Sequence, residues 1–377
     1  MQGADEHPGD APGDAPGHVR LPVASIKGRG AAANPKGRFA RAERESVEPA
    51  LAGDETPELP RRPQTVVRLQ QARSIISRNA SPDIPFSQSI NPYQGCEHGC
   101  IYCYARPSHA YLDLSPGLDF ETRLFAKENA AALLREELGK PGYRCELIAL
   151  GANTDPYQPI ERDHRITRAI LEVMLECRHP VSIVTKSAGV LRDLDLLREL
   201  ARDGLVRVHV SVDTLDGELA RTLEPRAAAP HRRLETIRRL AEAGVPCGVF
   251  VAPVIPFVND ADMEKVLEAA AGAGAGSAHF VILRLPNELK ELFRDWLQRH
   301  MPMRAAHVMA RVQDLRGGRD NDPRFGSRMR GEGPYADLIA KRFAAACRRL
   351  GLGTNREAAL PTNLFRPPAG PQGSLFG

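Results

Sequence analysis

No part of the chain reaches the ~18 consecutive apolar residues of a membrane-spanning helix. The longest apolar run, Cys247 to Val258, is broken by Pro253 and Pro256 and reads as a buried strand. A membrane partner is therefore not expected. No secretory leader is expected either, because the N-terminus is polar and rich in Asp, Gly and Pro. Paired cysteines are missing: there are seven, an odd number, and Cys145, Cys177, Cys247 and Cys347 are single and scattered. This argues against a disulfide framework and for a reducing, cytoplasmic compartment. Cys177 ends a helical run and Cys247 opens an apolar one, as buried structural thiols do. Charge of one sign is in short supply, since 51 Lys and Arg against 47 Asp and Glu leave only +4. That is too little to argue for nucleic acid by itself. The Gly-x-Gly-x-x-Gly fingerprint of dinucleotide folds does not follow the first predicted strand, which turns the fold reading away from a Rossmann sheet.

What is present is concentrated in one loop. Cys96, Cys100 and Cys103 lie within residues 91–104, NPYQGCEHGCIYCY, with the spacing C-x3-C-x2-C. Three thiolates from one loop suit a cubane iron–sulfur cluster and leave one of its irons without a protein ligand, open to a bound molecule. A zinc site would need a fourth ligand, for which His98 or His109 is available. Gly95 and Gly99 let the backbone turn tightly and approach a bulky inorganic core. Tyr102 and Tyr104 flank the last cysteine, where they either cover a planar ligand or pack at a strand-to-helix corner.

Residues 1–80 are poor in apolar periodicity and read as a disordered or extended arm. Within it, Lys27, Arg29, Lys36, Arg38, Arg41 and Arg44 form a basic patch suited to draping over the core or a polyanion. From about residue 85, strand-like runs alternate with helical ones. The strands are expected at 87–90, 146–150, 181–185, 205–212, 247–254 and 279–283. Helices are expected at 121–138, 166–177, 190–201, 232–243 and 262–273, with Gly204 and Gly244 as C-caps. Such alternation predicts an α/β chain: a partial (β/α)6 TIM-like barrel over 81–287 with the disordered N-terminal arm. A helical, basic extension follows over 288–350, then a flexible tail over 351–377.

In barrels of this kind the site lies at the C-terminal ends of the strands, where the cysteine loop also emerges. Polar groups gather there: Asn153, Thr154, Asp155, Gln158 and Glu161 after strand two, Thr185-Lys186-Ser187 after strand three, Ser211, Asp213, Thr214, Glu224 and Arg226 at strand four, Asn259 and Asp260 after strand five, and Arg284 after strand six. Turn and cap chemistry accounts for any one of them. As a set they favour a ligand site.

With these features the chain resembles radical S-adenosylmethionine (SAM) enzymes, whose signature is the C-x3-C-x2-C loop after strand one. The resemblance spans roughly residues 85 to 290. It implies a [4Fe–4S] cluster on Cys96, Cys100 and Cys103, SAM on the open iron, a 5′-deoxyadenosyl radical that abstracts hydrogen, and a flavodoxin- or ferredoxin-like electron donor. It further implies that Tyr102 contacts adenine, that Asn153, Thr154 and Asp155 contact the SAM amino group, that Ser211 and Asp213 hold the ribose, and that Arg226 meets the carboxylate. Residues 154–159 (TDPYQP) and 100–104 (CIYCY) resemble the branch named after spore photoproduct lyase, often labelled DNA repair photolyases. Arg29-Gly30-Ala31 and residues 115–122 (SPGLDFET) resemble a bacterial subgroup of it. Lyases of that branch carry a hydrogen-donating cysteine just after strand two, in Cys-Thr-Ser-Asp. Here Ala152-Asn153-Thr154-Asp155 stands in its place, so thymine-dimer lyase activity does not carry over. Cys145 precedes the strand and is expected at the opposite end of the barrel. Tyr102 and Tyr104 are the catalytic candidates.

Two features bear on substrate and partners. Residues 299–330 hold eight Arg and three Asp without a Glu, a segment able to track phosphates or to serve as a solvated surface. Gln372, Leu375 and Phe376, in the run 372–376 (QGSLF), resemble the short peptide by which bacterial replication and repair proteins bind the sliding clamp. Three functions remain in view: a radical SAM enzyme acting on nucleic acid, one acting on a protein or small molecule, and a non-enzymatic iron–sulfur or zinc protein.

Overall fold

The computed structural model describes residues 25–39, 63–354 and 359–368. The clamp-like peptide with Gln372, Leu375 and Phe376, as well as Arg41 and Arg44, lies outside these residues. In chain order the elements are β1 (Val66–Gln70), β2 (Ile76–Arg78), β3 (Gln88–Ile90), β4 (Tyr93–Gln94), α1 (Leu118–Thr122), β5 (Arg123–Lys127), α2 (Ala130–Leu138), β6 (Ile148–Leu150), α3 (Glu161–His164), α4 (Ile166–Glu176), β7 (Val181–Thr185), α5 (Leu194–Arg202), β8 (Val206–Ser211), α6 (Gly217–Leu223), α7 (Pro230–Glu242), β9 (Cys247–Val254), α8 (Met263–Gly272), β10 (Ser277–Ile282), α9 (Leu289–His300), α10 (Ala305–Asp314) and α11 (Pro334–Leu350).

The main sheet has the order β10-β9-β8-β7-β6-β3-β2. Its six strands from β3 to β10 are parallel and follow in sequence order, with β2 added antiparallel at the edge. This is the open, partial (β/α)6 barrel that the alternation predicts. The strands are short and rich in Val and Ile because both faces are covered, and helices pack on the outside. Helices α5 and α7 end at Gly204 and Gly244, whose φ values of 69° and 73° suit the left-handed cap.

The helix expected over 121–138 is two short helices with β5 between them. In β5, Leu124 and Ala126 are fully buried, while Arg123 is exposed and Phe125 and Lys127 are only partly covered. This period of two is fixed by pairing with β1 on one side and β4 on the other, in the order β1-β5-β4. Sheet pairing outside the local window overrides helical spacing. Strands β1 and β2 fall in the stretch read as an arm, too short to show a pattern by themselves. The described residues 25–39 likewise pack on the core, with Ala31 and Ala32 buried.

Two further layers position the site. Trp296, Phe293 and Leu289 of α9 bury against Ile101, Leu223 and Ile255, so the C-terminal helices brace the flank of the cysteine loop. The Trp296 indole N–H donates to Thr222 O at 3.0 Å. At the other end of the barrel, residues 359–368 of the expected tail are docked: Phe365 packs on Tyr143 and His179, and Arg366 N–H donates to Cys177 O at 2.8 Å. Cys145 lies just before β6, at this end, as expected.

His179 links this end to pH. Its Nδ1 lies 3.0 Å from Pro180 O, an acceptor only, so Nδ1 carries the proton; Nε2 stands 2.9 Å from the Tyr143 hydroxyl, which also lies 3.0 Å from Gln88 Oε1. Burial of the ring lowers its pKa from 6.5 to about 4. The neutral ring is therefore the folded form, and its contribution is complete above pH 6.5 and lost as pH falls toward 4. About 3 kcal/mol of stability is expected to disappear across that window. Chemical denaturation at stepped pH measures it, and His179→Phe should flatten the slope; an unchanged slope would clear His179 as the cause.

Candidate active site

The cysteine loop leaves β3 at the C-terminal end of the barrel. Cys96 and Cys100 are buried, Cys103 is half-buried, and all three are free thiols. Cys103 borders both of the apolar clusters to which Cys96 and Cys100 belong. Tight turns shape the loop, with Cys103 N–H donating to Cys100 O at 3.3 Å and Arg106 N–H to Cys103 O at 3.1 Å. Gly95 and Gly99 have φ values of 77° and 67°. A Cβ at Gly99 would stand 2.8 Å from a Glu121 carboxylate oxygen, and one at Gly95 would stand 2.6 Å from Leu124 Cδ2. These glycines are thus required by protein packed behind the loop as well as by the turn.

That packing centres on one ion pair. Arg106 and Glu121 are both fully buried and joined by the Arg106 Nη2 group. The Arg106 guanidinium also donates to Cys100 O at 2.8 Å, Gly99 O at 2.9 Å, Gly117 O at 3.0 Å and Pro116 O at 3.2 Å. Glu121 accepts from Gly30 N at 3.1 Å and Ala31 N at 2.9 Å. Arg29 donates to Glu121 O at 3.0 Å. Gly30 lies so close that a Cβ there would sit 1.9 Å from Gly99 O. The Arg29-Gly30-Ala31 segment is therefore a wedge behind the cysteines.

The donor set, three thiolates on one loop, is of the kind an iron–sulfur cluster takes. His98 Nδ1 is engaged with Asp155 at 3.3 Å, and His109 Nε2 with Arg123 O at 2.9 Å. Among the described residues, no three His, Cys, Asp or Glu side chains are grouped to hold a single metal ion. A zinc site gathers its ligands around one centre, whereas a cubane takes one thiolate per iron and spreads them wider.

Around the loop the strand ends form a connected polar network. The Tyr102 hydroxyl lies between the carboxylates of Asp213 and Glu224. Glu224 pairs with the buried Arg233, which donates to Ser211 O at 3.0 Å. Lys186 Nζ stands 3.9 Å from Glu224 and 5.7 Å from the Tyr102 ring centroid. Burial and the adjacent Glu224 push Asp213 far above the ordinary carboxylate range, so it is the neutral acid of the pair. Burial opposes charge on Glu224 too, but Arg233 outweighs it and holds the carboxylate ionised. Burial also opposes the Lys186 charge, yet the negative charge that Asp213 and Glu224 share raises its pKa.

The other sequence-predicted residues are placed less uniformly. Asp155 is held ionised against its burial by His98, with help from Lys186 N and the Thr185 hydroxyl, both at 2.7 Å. Thr154 Oγ1 donates to Tyr93 O at 2.9 Å, and Asn153 N donates to Asn91 Oδ1 at 2.9 Å. Arg226 pairs at 3.1 Å with Glu97, a buried residue of the cysteine loop, and its own side chain is 38% exposed. Tyr104 is half-exposed and donates to the carbonyl of Ala152. Sequence reasoning named Lys186 and Glu224 only as strand-end polarity, and it missed Arg106, Arg233 and the role of Glu121. The Thr185-Lys186-Ser187 step directly after a β-branched strand was the available signal for Lys186.

Comparison with known proteins follows the same lines. A family model for the Radical SAM superfamily matches residues 90–270. Uncharacterized proteins of Mycobacterium tuberculosis and Mycobacterium bovis are each 39% identical over 261 residues, covering 68% of this chain and 75% of the relative. An uncharacterized protein of Methanocaldococcus jannaschii is 31% identical over 173 residues, 46% of this chain and 62% of that protein. Among solved structures, spore photoproduct lyase complexed with dinucleoside spore photoproduct superposes with a TM-score of 0.55 at 15% identity, over 76% of this chain and 80% of that one. At such identity the similarity is one of fold.

The buried pair behind the loop yields a direct test. Glu121→Ala leaves the Arg106 guanidinium buried without its counter-charge, at an expected cost of about 3–5 kcal/mol. Bound iron per chain after anaerobic reconstitution should fall with it. Normal iron content and an unchanged unfolding midpoint would show that the pair does not hold the loop.

Proposed function

The chain belongs to the radical SAM superfamily, and from that premise we propose that Cys96, Cys100 and Cys103 are the three ligands of its [4Fe–4S] cluster. The chain is a radical SAM enzyme, with a [4Fe–4S] cluster and SAM as cofactors. The observation that carries the ligand assignment is the set of three free thiols on one loop at the C-terminal mouth, with a partly buried ammonium, Lys186, beside Tyr102. Held there by Cys96, Cys100 and Cys103, the cluster would supply the one-electron reductive cleavage of SAM that initiates hydrogen abstraction from substrate.

The chain's own residues orient SAM. Tyr102, fixed by Asp213 and Glu224, lines the adenine side, and Ser211 with Asp213 lines the ribose side. Asn153, Thr154 and Asp155 border the amino group. Lys186 is better placed than Arg226 for the SAM carboxylate, because Lys186 stands over Tyr102 at a loose 3.9 Å from Glu224, whereas Arg226 is closely paired with Glu97 at 3.1 Å and is the more exposed of the two. Burial of Cys96 and Cys100 keeps water from the reducing centre.

Radical SAM enzymes need an electron donor, and a flavodoxin- or ferredoxin-like protein is the proposed one here. Free cysteines suit a reducing, cytoplasmic setting. No helix among the described residues is long and apolar enough to cross a membrane. For substrate we propose nucleic acid, in a repair or modification reaction, with the tail residues Gln372, Leu375 and Phe376 engaging a sliding clamp. Thymine-dimer lyase chemistry is not proposed, because Ala152 stands where the lyase branch has its hydrogen-donating cysteine.

Anaerobic reconstitution, followed by dithionite and SAM, should yield 5′-deoxyadenosine. Cys103→Ala should yield none. Lys186→Ala should keep its iron but bind SAM at least about tenfold more weakly, as expected for loss of a charge-assisted contact. An intact cluster in the wild-type protein that forms no 5′-deoxyadenosine would sink the reading.

A further inference from the structure

Arg284 follows β10 at the rim of the barrel, and its guanidinium stands 5.6 Å above the Tyr104 ring. Its one hydrogen-bond acceptor among the described residues is weak, the Met329 thioether at 3.5 Å. Its Nε is buried without a partner. The nearest charged neighbours are mostly cationic. Burial and Arg328 both press its pKa down, against small opposing effects of Tyr104 and Asp83. Arg328 is itself committed, ion-paired to Asp83 and donating to Ser81.

A third arginine builds this arrangement. Arg316 is buried and donates to Ile282 O at 3.2 Å and Leu283 O at 2.6 Å, the two residues before Arg284. It also donates to Ser327 O at 3.1 Å and Arg328 O at 2.9 Å. One side chain thus staples the end of β10 to the 327–328 loop and brings Arg328 beside Arg284. Three guanidinium groups share this corner, and Asp83 answers only one of them directly. A desolvated guanidinium with no carboxylate is costly unless an anion completes it. Its planar fork matches a phosphate oxygen pair.

We propose that Arg284, seated over Tyr104 and flanked by Arg328, is the contact for a phosphate group of the substrate at the barrel mouth. The proposal rests on the reading that the reaction takes place at this mouth, and it adds the residue that reads the substrate's charge. The partner chemistry is a phosphate carried either by an oligonucleotide or by a mononucleotide. Arg299, Arg311 and Arg324 of the basic segment are instead paired with Asp295, Asp314 and Asp322, so they do not compete for this role.

The test uses the reconstituted full-length protein with SAM and a fluorescently labelled single-stranded oligonucleotide, read by anisotropy over a salt series. Arg284→Gln should weaken binding at least about tenfold. It should also lower the slope of log K against log salt by about 0.7, the share of one phosphate contact on a single strand. Arg284→Lys should keep the slope and lose part of the affinity, which separates a phosphate contact from a packing role. Competition by a mononucleotide at comparable concentration would assign the phosphate to a small substrate, and its failure would assign it to the oligonucleotide. Equal affinity and slope in Arg284→Gln, or no binding of either probe by the wild type at low salt, would overturn the proposal. Formation of 5′-deoxyadenosine by the wild type, assayed alongside, tells that failure apart from failure of the functional reading.

Discussion

The buried Arg106–Glu121 pair is the constraint on which the rest of the site depends. Both groups are out of water, so each needs the other, and a charge left alone there would be far costlier than the pair. The remaining donors of Arg106 go to the carbonyls of Gly99, Cys100, Pro116 and Gly117, and the carboxylate of Glu121 also accepts from the amides of Gly30 and Ala31. One ion pair thereby fixes three chain segments and sets the backbone from which the cysteines project. Replacing it with apolar groups would leave those carbonyls and amides unsatisfied, which is why a charged pair suits this position.

In front of that anchor, charge is arranged by difference. Asp213 and Glu224 both face the Tyr102 hydroxyl, yet burial and mutual repulsion leave one of them neutral while Arg233 keeps the other ionised. Lys186 completes the set with its ammonium directed at the mouth. Further out, Arg284 and Tyr104 form a rim with unanswered positive charge. The inner polar network and the outer arginine rim are thus separate in space, as the proposed division between cofactor and substrate requires.

Much of the barrel was legible because its strands are β-branched runs bounded by glycine, and periodicity within such windows reports burial directly. Strand β7 matches the expectation residue for residue, and β9 does too. Strand β5 was not legible, since Arg123 to Lys127 becomes a strand only through β1 and β4, whose pairing no local window contains. The basic segment misled in a similar way. Arg316 reads as one more surface arginine, but it is buried and bound to four carbonyls.

By itself the sequence pointed to the family: C-x3-C-x2-C places three thiolates within eight residues of chain, and a local spacing of that kind is legible without the fold. It also determined the alternation of the barrel's six parallel strands with helices, since each of those strands is a local pattern. Only the tertiary structure decided which polar groups face the reaction. Arg226 and Lys186 look equivalent as strand-end cations, yet one is more than a third exposed and paired with Glu97, while the other is mostly covered beside Glu224 and Tyr102. Likewise, only the fold brought Arg29-Gly30-Ala31 against Gly99, some seventy residues away. The physical reason is common to both: a side chain's charge state and direction follow from neighbours distant in sequence, and burial sets how strongly those neighbours act.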